Sequence, residues 1–226
     1  MIISYSNNFV VVRPPKTGST SLVYYFFKSG LIDREKDTYY IGSNFYTWEQ
    51  AEAEAWENNK EKNILPSYPT AAKFIIRPNG GVHRTFADMC AKGAVKPDMP
   101  CVASIRNPLK RMSSLYYYRK NYPGPEPAYL ADPNVFWDHV KVNELAQCDY
   151  FPKHAELFNT ENLHEHVSKY ILEKGGKIEQ PIRKNNNADN KLDVFLAELT
   201  PDRRQDILDT YAKDFELWEK AYAVYN

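Results

Sequence analysis

Residues 9–27, FVVVRPPKTGSTSLVYYFF, constrain this chain more than any other stretch. Phe9-Val10-Val11-Val12 is a short β-branched run, the pattern of a parallel strand covered on both faces. Pro14 and Pro15 stop it. Lys16-Thr17-Gly18-Ser19-Thr20-Ser21 follows, a composition suited to wrapping an anion. Gly18 lets the backbone approach closely, Ser and Thr offer hydroxyls, and Lys16 adds a full charge. The helix that starts near Ser19 turns its free N–H groups and positive dipole end toward the same point. Strand, loop and helix in this order predict a phosphate or sulfate site at the front of the chain.

The 226 residues suit a single α/β domain spanning 1–226 and carry 29 basic against 29 acidic side chains. That balance predicts neither a nucleic-acid partner nor an anionic membrane surface. The distribution says more than the total. Residues 1–32 contain no Asp or Glu but carry Arg13, Lys16 and Lys28. Residues 99–125 also contain none, and carry Arg106, Lys110, Arg111, Arg119 and Lys120. Two acid-free basic stretches in a neutral protein predict one concentrated anion site. The three cysteines, Cys90, Cys101 and Cys148, show no CxxC spacing, which predicts a reducing compartment and neither a disulfide framework nor a zinc site. The N-terminus has no basic region followed by an apolar one, and no apolar run approaches about 18 residues, so the expected location is the cytoplasm.

Further along, Gly30 is a candidate helix C-cap, and residues 47–50 open an acidic helix over about 48–60 with a capping-box pattern. That helix is either a solvated surface element or part of an acceptor-binding lid. Residues 72–76 form a second strand candidate, 78–81 a turn, and a short helix runs to about residue 91. Residues 100–105 form a third apolar strand, which runs into Arg106-Asn107-Pro108. Pro108 suits the first turn of a helix over 108–120. Helices are expected at about 134–146, 152–158, 161–173 and 201–222, with a polar loop at 183–190. The last helix has Thr200 as N-cap and a stripe of Ile207, Tyr211, Phe215, Trp218 and Tyr222. The expected fold is α/β, a three-layer P-loop-like domain with a central parallel sheet and a helical C-terminal half.

Two segments together resemble the sulfotransferases that use 3'-phosphoadenosine 5'-phosphosulfate (PAPS). Pro15-Lys16-Thr17-Gly18-Ser19-Thr20-Ser21-Leu22 resembles their loop for the 5'-phosphosulfate. The segment from Arg106 to Tyr117, with Pro108 and with Ser114 eight residues after Arg106, resembles their 3'-phosphate motif. Residues 160–163 are similar to the family's Glu-Asn-Leu helix start, and residues 199–215 to its closing helix. The flavour is that of the carbohydrate sulfotransferases of the heparan and chondroitin type, without their membrane anchor.

The resemblance implies PAPS as donor, adenosine 3',5'-bisphosphate (PAP) as product, no metal requirement, and a small-molecule or carbohydrate acceptor. It implies that Lys16, Thr17, Gly18, Ser19, Thr20 and Ser21 hold the sulfuryl end, and that Arg106 and Ser114 hold the 3'-phosphate. The residues agree on physical grounds, because a donor with two separated anionic ends needs two separate cradles. Arg106 can offer a bidentate fork at the carboxyl end of a strand, where open α/β sheets bind ligands. Surface ion pairing is the competing role for Arg106 and Arg111, yet no acid stands near either in sequence. An acceptor hydroxyl needs a general base. His83, after the strand 72–76 and a Gly-rich turn, is a candidate because imidazole titrates near neutrality; a structural histidine is the alternative. His154 is the reserve; His164 and His166 fall on a helix that reads as peripheral, and His139 has no supporting motif. A P-loop-type kinase fits less well, since GxxxxGK[ST] is absent and the strand over 100–105 ends in Arg106 rather than an Asp for magnesium. A non-catalytic nucleotide-binding module also fits the motifs.

Overall fold

The computed structural model describes residues 1–33, 36–41, 44–46, 83–121, 126–178 and 188–223. The expected helix over 48–60, the strand over 72–76 and the turn over 78–81 lie outside them. The described chain is α/β. Its strands are β1 (Ile2–Ser4), β2 (Phe9–Val12), β3 (Thr38–Ile41), β4 (Asn44–Tyr46), β5 (Cys101–Ile105) and β6 (Glu156–Asn159). They form one sheet in the order β4-β3-β1-β2-β5-β6.

The sheet is mixed, not simply parallel. β2, β5 and β6 run parallel, with Val12 beside Ala103 and Ile105 beside Asn159. β1, β3 and β4 add an antiparallel flank that the sequence did not announce. β1 is only three residues long and owes its place to a hairpin with β2. Asp37 ties that hairpin: its buried carboxylate accepts the Tyr5 and Ser6 amides at 2.8 and 3.1 Å and the Ser4 hydroxyl at 2.9 Å.

Helices cover both faces of the sheet. Alternating strand residues Ile2, Phe9, Val11, Val102 and Phe158 meet α1 (Ser19–Lys28) and, further along, a helix over Leu163–Glu173. On the opposite face, Ile3, Val10, Val12, Cys101, Ala103 and Ile105 meet α2 (Phe86–Ala91) and the last helix, over Ala212–Ala223. The period of two along β2 sends successive side chains into two different cores. α3 (Pro108–Lys120) and α4 (Pro133–Asn143) pack away from the sheet, around Tyr116, Phe136 and Trp137. Next in chain order come α5 (Leu163–Glu173), α6 (Ala188–Glu198), α7 (Pro201–Thr210) and α8 (Ala212–Ala223).

Four sequence expectations are corrected. Residues 152–158 do not form a helix: a turn closed by Ala155 N–H on the Pro152 carbonyl leads into β6. Pairing with β5 outweighs the local pattern there, because Leu157 and Phe158 are the only large apolar residues available to announce a strand. The helix over 201–222 is two helices, broken at Tyr211, whose φ of −109° and ψ of 24° leave the helical region. Tyr222 of its apolar stripe is 42% exposed. The polar loop over 183–190 has its last three residues in α6, whose Phe195 is fully buried. The helix that carries His164 and His166 is not peripheral, since it covers the sheet and His166 is itself buried.

Candidate functional site

Because β2, β5 and β6 are parallel, their carboxyl ends open on one edge of the sheet. Three connections meet there: the loop 13–18 after β2, Arg106-Asn107 after β5, and Thr160-Glu161 after β6.

The loop after β2 has an unusual backbone. Lys16 holds a φ of 64° and Gly18 one of 74°, both left-handed. For lysine this conformation costs about 1–2 kcal/mol, strain that the surroundings must hold in place. Gly18 is required twice over, because a Cβ there would also meet Thr160 Cγ2 at 3.0 Å. Thr160 in turn sets its hydroxyl 2.7 Å from the Thr17 carbonyl and 2.8 Å from the Ile105 carbonyl, pinning the loop to β5 and β6. As a result, the amides of Thr17, Gly18, Ser19 and Thr20 donate to no acceptor among the described residues. With the start of α1 behind them, they have the arrangement that can hold an anion. The Ser21 amide turns back to the Gly18 carbonyl at 2.9 Å and does not take part.

The hydroxyls are less available than the sequence suggests. Thr17 is buried, with its Oγ1 donating to the Pro14 carbonyl at 2.9 Å and lying 2.9 Å from Ser104 Oγ. Thr20 Oγ1 accepts from the buried Arg13 guanidinium at 3.1 Å. Thr17 and Thr20 thus have engaged hydroxyls, whereas those of Ser19 and Ser21 meet no hydrogen-bond partner among the described residues.

The second motif locks onto the first. Arg106 Nη1 donates to the Lys16 carbonyl at 3.3 Å, and Arg111 Nε to the Pro15 carbonyl at 3.1 Å. Arg111 is fully buried, with Nη2 on the Leu145 carbonyl at 3.0 Å and the guanidinium over the Tyr211 ring. It braces the loop and is not a surface ion-pairing residue. The Lys16 ammonium lies 4.0 Å above the Tyr118 ring. Arg111, Ser114 and Tyr118, three and four residues apart, therefore form the stripe of α3 that faces the loop. Ser114 is half-buried, and its hydroxyl forms no hydrogen bond among the described residues. It stands about 9 Å along α3 from Pro108, by the helical rise.

His83 reaches the same edge. Its Nδ1 lies 2.6 Å from the Arg13 carbonyl, which only accepts, so Nδ1 carries the hydrogen and Nε2 is the basic nitrogen. Though the side chain keeps some surface, loss of hydration pushes the imidazole down to about 3. The Arg13 carbonyl pulls it up and the Arg13 guanidinium adds to the depression. His154 stands elsewhere: Nε2 contacts the Met99 carbonyl at 3.1 Å, at the amino end of β5, opposite the site.

Three contributors escaped the sequence reading. Thr160 follows a strand read as helix, Tyr118 sits in a run of three tyrosines, and Gln147, buried beside Arg106, carries no motif. Compared with family models and with curated proteins, the chain matches none.

Proposed function

We propose that this chain is a PAPS-dependent sulfotransferase of P-loop-like architecture that moves a sulfuryl group to an acceptor hydroxyl on a small molecule or carbohydrate. One observation carries the reading: two basic motifs some 90 residues apart interlock at the carboxyl edge of a parallel sheet, Arg106 on the Lys16 carbonyl and Arg111 on that of Pro15. The result is two anion-binding positions on one rigid frame, which suits a donor with a phosphosulfate at one end and a 3'-phosphate at the other. The residues fit that donor. The amides of residues 17–20 suit the sulfuryl oxygens, Lys16 the charge that develops as the nucleotide departs, and Arg106 with Ser114 the 3'-phosphate. His83, with Nε2 as its basic nitrogen, is the candidate to take the acceptor's proton. In-line transfer needs little covalent chemistry from the protein, so positioning and charge neutralisation supply most of the acceleration.

The test is a thermal shift of the full chain with adenosine 3',5'-bisphosphate, followed by product formation with PAPS and a panel of hydroxyl acceptors. Ligand at a hundred times its Kd stabilises the native state by about 2.7 kcal/mol. Lys16→Ala is expected to lower kcat by about 10²–10³-fold while bisphosphate still binds. No shift at millimolar bisphosphate would sink the proposal. Binding without transfer would favour a nucleotide-binding module, and ATP- and magnesium-dependent transfer a kinase.

A further inference from the structure

Arg106 owes its place to a side chain 41 residues further along the chain. Gln147 grips the Arg106 backbone at both polar groups: Oε1 accepts the Arg106 N–H at 2.9 Å, and Nε2 donates to the Arg106 carbonyl at 2.9 Å. Paired bonds of this kind are what a neighbouring strand would exchange with one residue, so the side-chain amide continues the ladder of β5 for one residue beyond Ile105. Gln147 is itself held from beneath. Its own N–H donates to Asp214 Oδ2 at 2.7 Å, and the next amide, of Cys148, donates to Asp214 Oδ1 at 2.8 Å. Gln147 and Asp214 are both fully buried. Asp214 belongs to the first turn of α8, so a helix from the far end of the chain anchors the turn that holds Arg106. Polar groups buried this deeply are tolerated only when fully engaged, and here the engagement converges on one residue of the site.

We propose that Gln147 is a positioning residue: it sets the Arg106 backbone, and through it the line along which the guanidinium meets a 3'-phosphate, with Asp214 as its anchor. The inference rests on the sulfuryl-donor reading above. A merely structural Gln147 would, when removed, weaken every nucleotide alike. A positioning Gln147 acts on ligands that carry the 3'-phosphate and spares those that lack it.

The experiment is calorimetric titration of the full chain with adenosine 3',5'-bisphosphate and, separately, with adenosine 5'-monophosphate. Gln147→Met, close in shape but unable to grip the backbone, is expected to cut the preference for the bisphosphate by about tenfold while monophosphate affinity moves less than about threefold. Asp214→Asn keeps the volume of the anchor and is expected to cut the preference less; it decides the matter if Gln147→Met does not fold. A preference unchanged in the folded variants, or equal losses on both nucleotides, would overturn the positioning role and leave the donor reading standing. A wild-type chain with no preference for the bisphosphate would overturn both.

Discussion

His83 is a base candidate whose basicity the fold has lowered. Its imidazole is held down to about 3, chiefly by lost hydration, so the residue is neutral through the physiological range. Two consequences follow at this scale. If His83 takes the acceptor's proton, kcat/KM of the free enzyme shows no break near 6.5 on acidification, where an ordinary histidine base would titrate. A clear break near 6.5 that disappears in His83→Gln would contradict the lowered value. The second consequence concerns stability. Below about 6.5 the unfolded chain binds a proton that folded His83 refuses. The stability His83 contributes is therefore present above 6.5 and lost as pH falls toward about 3, by at most about 1.4 kcal/mol per unit. His166, buried and also lowered, acts with the same sign. Urea melts between pH 7 and 5 should show a shallower slope in His83→Gln than in the wild type; equal slopes would remove His83 as the cause. The sequence identified the residue as titratable, but not its pKa, since hydration depends on neighbours far away in the chain.

α3 is the element that brings the two motifs together, and its start is legible. Asn107 accepts the Leu109 and Lys110 amides at 3.0 and 3.3 Å, and Pro108 fills the first helical position, where an N–H is not needed. Asn107→Ala should therefore cost about 1 kcal/mol, measured as a lower urea midpoint at unchanged m-value. A change within error would mean that the contacts of Arg111 and Arg106 hold the helix start without its cap. Other elements were hidden for physical reasons. β1 and β6 carry too few apolar residues to signal a strand, and each exists because a neighbouring strand offers a ladder. α6 follows the polar run 183–187 and has one fully buried large residue, Phe195, to mark its inner face.

In the whole molecule, the site edge depends on how tightly α1 and α5 clamp the sheet. Phe26, fully buried, is the centre of that clamp: its ring meets Phe9 at 5.4 Å, Tyr170 at 5.7 Å and Phe158 at 6.1 Å. One side chain thus joins α1 and β2, which flank the loop 13–18, to β6 and α5, which flank the Thr160 that pins it. Phe26→Ala should cost about 3–5 kcal/mol, much of the 5–15 kcal/mol that a domain usually has. Denaturant unfolding measures it, and a loss below about 1 kcal/mol would show that the core collapses around the gap. Among the described residues, no helix is long and apolar enough to cross a membrane.

Local pattern alone determined the strand at 9–12, the turn into α1 at Ser19, the strand before Arg106 and the helix that Pro108 opens. Each is set by residues within a few positions of one another: β-branching, prolines, a glycine, a cap. Three matters were settled only by the tertiary structure. It turned the Thr17 hydroxyl inward and left the amides to face the site. It made Arg111 a buried brace. It placed Gln147 against Arg106 through a carboxylate on the last helix. All three rest on which groups lose water and which find partners when distant segments close together, and that balance is not written in any single stretch of the chain.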